Sequence, residues 1–136
     1  GEKYLQEQLD SILRQKNIQV DILVRDDGSN DKTKEILECY SKNNKLNWYT
    51  GEHLNVQKGY FDLMKKSAKL EWDYIAFSDQ DDVWSSDKLR ISLQALEKAD
   101  LIVHDAEMID GMGNSLGKIY WLVRAVSSEG ANCICH

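Results

Sequence analysis

Proline is absent from the 136 residues, where average usage of about 5% predicts roughly seven. A Pro-rich linker is thereby excluded, and no second domain is expected to hang from one. Cysteine is scarce and odd in number, at 3, which does not make a disulfide scaffold in a chain of this size; reduced thiols fit best. Long hydrophobic runs are missing too, every apolar stretch being far shorter than the roughly 18 residues a membrane span needs. Positive charge is in deficit: 17 Lys and Arg face 23 Asp and Glu, for a net charge of −6. With no long basic stripe, a nucleic-acid polymer is excluded as the expected partner. Nothing at the amino end reads as a basic, then apolar, secretion signal. The cytoplasmic side is the default. The chain starts at Gly1 and not at methionine, so its amino end is expected to be a processing, cloning or gene-fragment boundary.

What is present suits one folded domain. The chain is 42% hydrophobic and 29% charged, enough to fill a core and not disordered by composition. Leu5, Leu9, Ile12 and Leu13 form the stripe of an amphipathic helix over 2–15. Ile18, Val20, Ile22 and Val24 alternate, with Leu23 adding apolar character to the other face, so a strand over 18–25, covered on both sides, is predicted. It runs into the polar turn Asp26-Asp27-Gly28-Ser29-Asn30-Asp31, and a helix over 31–42 follows, burying Ile36, Leu37 and Tyr40. Leu46 to Thr50 reads as a short strand, Gly51 to Gly59 as a loop, and Tyr60, Phe61, Met64 and Ala68 as a third helix. Tyr74-Ile75-Ala76-Phe77 reads as a compact strand ending in Ser78-Asp79-Gln80-Asp81-Asp82. Ser86 or Asp87 caps a fourth helix with Leu89, Leu93 and Leu96 on one face. Leu101-Ile102-Val103 reads as another buried strand. Gly111, Gly113, Asn114 and Gly117 make a turn before a last apolar run, Ile119 to Val126. The alternation predicts an α/β sandwich with a mostly parallel sheet.

In an open α/β sheet, ligands bind beyond the carboxyl ends of the strands. Two acidic clusters fall there: Asp26-Asp27, and Asp79-x-Asp81-Asp82. Crowded carboxylates repel, and a hard divalent cation, Mg²⁺ or Mn²⁺, relieves that repulsion. Such a cation is held by one or two carboxylates and completed by substrate phosphates and water. An Asp-x-Asp is also common in loops that merely start helices, so the motif alone is weak.

Four stretches together carry more. They are Tyr4 to Leu13 (YLQEQLDSIL), Val24 to Thr33 (VRDDGSNDKT), Leu54 to Lys58 continuing through Lys66, and Asp79-Gln80-Asp81-Asp82-Val83-Trp84 with Lys88-Leu89. In order, spacing and residue type the chain resembles the family 2 glycosyltransferases of the GT-A fold, especially bacterial rhamnosyltransferase-like members, over roughly 1–110. The resemblance implies a partial GT-A domain, an α/β/α sandwich, over 1–136, its donor-binding part, with 120–136 diverging. It implies transfer of a sugar from a nucleotide-diphosphate donor (UDP-, dTDP- or GDP-linked) to a hydroxyl of a glycan or lipid-linked acceptor, usually with inversion, in bacterial cell-surface polysaccharide synthesis. The donor nucleotide would meet Asp26, Asp27, Lys58 and Asp79, with Asp27 accepting a hydrogen bond from the base and Asp26 shaping the turn. Asp79 and Asp81 would hold Mg²⁺ or Mn²⁺, while Asp82 and Trp84 shape the loop. The full-length enzyme would be cytoplasmic, and peripheral at the inner face of the membrane. Set against the family pattern, a first strand before Gly1 and a carboxyl-terminal acceptor half are expected to be missing. The general base is expected downstream, so no residue here is assigned as catalytic. Asn55 stands where the family usually has Gly.

Other readings compete. A truncated, non-catalytic fragment that keeps the nucleotide surface or packs on a partner would show no transfer. A nucleotidyltransferase could use the same carboxylates, but the chain lacks a glycine- and arginine-rich phosphate loop, and the P-loop G-x₄-G-K-[ST] is absent too. His104 with Asp105 reads as a structural histidine, His53 as exposed and Cys39 as a packing residue. Cys133, Cys135 and His136 lack the spacing of a zinc site. Of the aromatics, Trp84 alone keeps a functional reading, for its place beside the acidic loop.

Overall fold

A strand persists only as far as a neighbour can pair with it, and this governs the sheets. The computed structural model describes residues 1–119 and the strand segments 124–126 and 134–135. The chain divides into two compact units, Gly1–Ser86 and Asp87–His136.

The first unit begins with α1 (Leu5–Leu13), whose Leu5 and Leu9 face Leu37 of α2 (Thr33–Lys42) and Leu46. Ile22, Val24, Ile36, Tyr40 and Trp48 pack around these four leucines. The Tyr40 hydroxyl donates to Asp10 Oδ1 at 2.8 Å, tying α2 to α1. Between the helices, β1 (Leu23–Asp26) pairs in parallel with β2 (Asn47–Thr50), from Leu23 opposite Asn47 to Asp26 opposite Thr50. The strand predicted over 18–25 is therefore confined to its end, because β2 offers only 4 residues to pair with. Its residues Leu23 to Arg25 are half-buried rather than fully covered.

Helix α3 (Val56–Ser67) starts earlier than the apolar pattern predicts. The Asn55 side chain accepts from the Lys58 backbone N–H at 3.0 Å, the N-cap bond that satisfies an orphan donor of the first turn. Residues 74–77 form no strand, and Tyr74 is 61% exposed. No described segment forms a ladder with them, so their apolar, β-favouring composition has nothing to act on.

In the second unit, α4 (Lys88–Leu96) precedes β3 (Leu101–Val103). Strand β3 pairs antiparallel with β6 (Arg124–Val126), which pairs antiparallel with β7 (Ile134–Cys135). Leu101 and Val103 are exposed, so β3 is a strand but not the buried one predicted. A separate hairpin joins β4 (Glu107–Ile109) to β5 (Ser115–Ile119), where only a turn was predicted. Asp110 closes it, one carboxylate oxygen accepting from the backbone N–H groups of Met112 and Asn114, at 2.8 and 2.9 Å. Gly113 supplies the left-handed residue, at φ 82°. Among the described pairings one is parallel and three are antiparallel. The α/β content with a parallel strand pair is thus present among the described residues. Most of the last apolar run, with Tyr120, Trp121 and Cys133, and the side chains of Cys135 and His136, lies outside the described residues.

Candidate functional site

Both acidic turns lie in the first unit, and each is fixed by hydrogen bonds to the main chain. Asp26, the last residue of β1, is buried and folds its carboxylate back on the turn. It accepts from the backbone N–H of Gly28 at 3.2 Å and of Ser29 at 3.1 Å, with the Lys34 ammonium at 3.7 Å. Burial alone would raise its pKa, but the bonds from Ser29 and Gly28 and the Lys34 charge outweigh it, and the net shift is downward. Gly28 makes the turn possible by taking φ 91°.

Asp27 faces the other way and is 40% exposed. Its Oδ1 pairs with Nη1 of Arg25, a guanidinium only 3% exposed. The same group donates through Nε to Asp62 Oδ2 at 3.0 Å and through Nη2 to the Glu52 carbonyl. Asp62 also accepts from the Tyr49 hydroxyl at 2.7 Å, and that bond, then Arg25, holds its carboxyl below the usual range. Two glycines leave room for this hub. A Cβ at Gly51 would collide with the guanidinium, and one at Gly59 would lie 3.3 Å from Arg25 Nη1 and 3.8 Å from Asp27 Oδ2.

The second acidic turn hangs from a polar stripe along α1 and just past its end. Gln8 and Ser11 lie on the helix and Gln15 two residues beyond it, and all three are buried. The Gln8 amide donates to Ser78 Oγ at 2.9 Å and to the Asp79 carbonyl. Ser11 Oγ accepts from the Trp84 backbone N–H at 2.9 Å, and the Gln15 amide donates to the Ser85 carbonyl at 2.7 Å. The Lys16 backbone N–H reaches the Ser86 carbonyl at 3.0 Å. Trp84 is 7% exposed. It anchors the loop through its burial and offers no open face for a sugar to stack on. Ser11→Ala should remove the hydroxyl to which the Trp84 backbone N–H donates and cost about 0.5–1.5 kcal/mol. An unchanged urea midpoint would show that the stripe is dispensable.

The two turns meet at α3. Gly59 borders Asp27, and the next residue, Tyr60, donates its hydroxyl to Asp79 Oδ1. Burial first, then Asp79 and the charges of Asp82 and Asp81, push the Tyr60 hydroxyl upward, so three carboxylates act on one hydroxyl. At Gly1 the turns approach again: a Cβ there would lie 2.8 Å from Thr33 Oγ1 and 3.3 Å from Gln80 Oε1. Asp81 and Asp82 are exposed. Lys58 is on another face of α3, lining an open groove of about 430 Å³ with Leu54, Gln57, Phe61, Asp62 and Lys65. It is brought near Asp62 and not onto the acidic loop.

Among the described residues no three Asp, Glu, His or Cys side chains converge to hold a metal unaided. The acidic turn offers carboxylate oxygens and no soft ligand, a donor set that fits Mg²⁺ or Mn²⁺ completed by phosphate and water. His104 Nε2 lies 2.8 Å from Ser92 Oγ, a structural partnership inside the second unit. His53 is exposed, with Nδ1 at 3.3 Å from the Asp27 carbonyl oxygen. Cys39 is exposed on α2, which corrects its reading as a packing residue. Arg25, Tyr60 and the α1 stripe escaped the sequence reading. The signals available were Gln and Ser at positions 8, 11 and 15 beside the leucine stripe, and glycines at 51 and 59.

The chain is 34% identical over 104 residues to the dTDP-rhamnosyl transferase RfbG of Shigella flexneri, covering 71% of this chain and 35% of that protein. It is 27% identical over 113 residues to the uncharacterized glycosyltransferase alr2836 of Nostoc sp., covering 80% of this chain and 34% of that one. The chain thus spans about a third of the length of these curated relatives. No solved structure matches it significantly. No helix among the described residues is long and apolar enough to cross a membrane. The family model described as Glycosyl transferase family 2 matches residues 1–127, which include both acidic turns and the helix on which they meet. The chain therefore belongs to glycosyl transferase family 2.

Proposed function

We propose that residues 1–136 form the donor-binding part of a GT-A-type sandwich that takes a nucleoside-diphosphate sugar and passes the sugar, with inversion, to an acceptor hydroxyl. The pathway served is bacterial cell-surface polysaccharide synthesis, on the cytoplasmic side, with a glycan or lipid-linked acceptor. One observation carries this reading: Asp27 and Asp79, from turns some fifty residues apart in sequence, border consecutive residues of α3, Gly59 and Tyr60. A ligand with a base at one end and phosphates at the other needs both kinds of contact within one short span.

Asp27, accessible and paired with Arg25, accepts a hydrogen bond from the nucleobase. Asp26 holds the turn that presents it. Asp79, oriented by Tyr60, and the exposed Asp81 would hold Mg²⁺ or Mn²⁺, which supplies Lewis-acid neutralisation of the charge developing on the leaving diphosphate. Asp82 and Trp84 shape the loop, and Lys58 offers a cation to the donor from the neighbouring groove. The relative from Shigella flexneri is named for a dTDP-linked rhamnosyl donor, so dTDP is the first nucleotide to try.

The test is calorimetric titration of dTDP, UDP, GDP and CDP, each with and without Mn²⁺, on the wild type and on Asp81→Asn. Metal-dependent binding is expected, weakened more than about tenfold by the substitution, since even indirect partners of a metal are worth that much. A folded wild-type chain that binds none of the four with Mn²⁺ present would overturn the reading.

A further inference from the structure

Asp27 is accessible, yet it is not free to turn. Arg25 lies at the third position of β1, its guanidinium buried under the loop that follows β2. It engages three partners in three directions: Asp27, Asp62 and the Glu52 carbonyl. That divergence needs a planar fork with several donors, which an ammonium cannot reproduce. The space is provided by Gly51 and Gly59, where a side chain would press on the guanidinium. With Oδ1 of Asp27 engaged by Arg25, its Oδ2 faces Gly59, where no side chain intervenes.

We propose that Arg25 is a positioning residue for donor recognition: through its pair with Asp27 it fixes the carboxylate orientation that the nucleobase meets. This rests on the donor-binding reading above and adds to it the residue that sets the base contact. Arg25 touches no ligand itself; it acts through Asp27. Asp62, held in turn by Tyr49, keeps the guanidinium from swinging away. The contact therefore depends on β1, β2 and α3 being locked together by one side chain.

A base contact and a diphosphate contact can be measured apart. The probes are dTDP and inorganic pyrophosphate, each titrated with Mn²⁺ present, and the readout is the ratio of their affinities. Arg25→Lys should lower that ratio about tenfold, the loss of roughly one charge-assisted hydrogen bond, and leave pyrophosphate binding within about twofold. Asp27→Asn should do the same, and the double variant should lose no more than either single, because the two residues act as one unit. Gly51→Ala, which displaces the guanidinium without touching its charge, should reproduce the drop if Arg25→Lys fails to fold.

A folded Arg25→Lys or Gly51→Ala chain with an unchanged ratio would overturn the proposal. So would parallel losses for dTDP and pyrophosphate, the signature of a merely structural role. A wild type that binds neither probe overturns the donor reading itself, whereas a wild type that binds both, with an Arg25-independent ratio, overturns only the positioning role.

Discussion

Truncating Leu37 to alanine is expected to destabilise the first unit by about 2–5 kcal/mol. Leu37 is 0% exposed and belongs to a core of four leucines, with Leu5, Leu9 and Leu46. The cavity would open where α1, α2 and the sheet meet, and a core this small has few neighbours able to collapse into it. Helix α2 follows directly on the turn that carries Asp26 and Asp27, so loosening the helix releases the turn. On the donor-binding proposal, metal-dependent dTDP binding should fall together with the urea midpoint. Leu37→Met, which nearly conserves volume, should cost less than about 1.5 kcal/mol and keep binding. A Leu37→Ala chain with an unshifted midpoint would show that this cluster is not what holds the unit together.

Replacing Asp26 by alanine is expected to cost about 2 kcal/mol at pH 7, the worth of a buried carboxylate that accepts charge-assisted hydrogen bonds. The Gly28 and Ser29 amides would lose their acceptor, and the Lys34 ammonium its partner. Because the folded pKa of Asp26 lies below its ordinary value, the folded state favours the ionised form. The associated stability is fully present above the unfolded pKa, about 3.9, and is lost as pH falls through the lower folded value. The gap between wild type and Asp26→Ala should therefore stay constant down to about pH 4 and shrink below it. Urea titrations from pH 7 to pH 2.5 measure it. A gap that persists undiminished at the acid end would assign Asp26 a purely steric role.

Much of the first unit could be read from residue order. The Leu5, Leu9 and Ile12 stripe gives α1, Leu37 gives the buried face of α2, and Leu46 to Thr50 gives β2, because periodicity reports the face an element buries. Both acidic turns were equally legible. What periodicity cannot report is which strand finds a partner. Tyr74 to Phe77 has the composition of a strand and is not one, and the segment 18–22 alternates without a ladder, since β2 stops short of it. Nor does it report a helix start fixed by a side-chain cap, as Asn55 fixes α3. At the site, residue type alone does not distinguish Asp26 from Asp27; the family resemblance implies different roles for them, and burial separates a turn-former from an accessible acid. Arg25 was silent for a related reason: a charged residue in a strand signals exposure unless its carboxylate partners, here 2 and 37 positions away, are brought to it.

The stripe of Gln8, Ser11 and Gln15 has a consequence for how the molecule assembles. These side chains clasp backbone and hydroxyl groups 70 to 73 positions further along the chain. Contacts at such separation carry a large loop-closure entropy and form late, after local helices and the β1–β2 pairing have shortened the path between the ends. The acidic loop is then the closing stitch of the first unit, and its order reports that everything between α1 and residue 78 is already in place. Hydrogen exchange during refolding would register this as protection of the Trp84 amide after that of α1 and α2. On the donor-binding proposal, nucleotide affinity should appear only after that protection, because Gln8 ties down the Asp79 backbone in the same closing step.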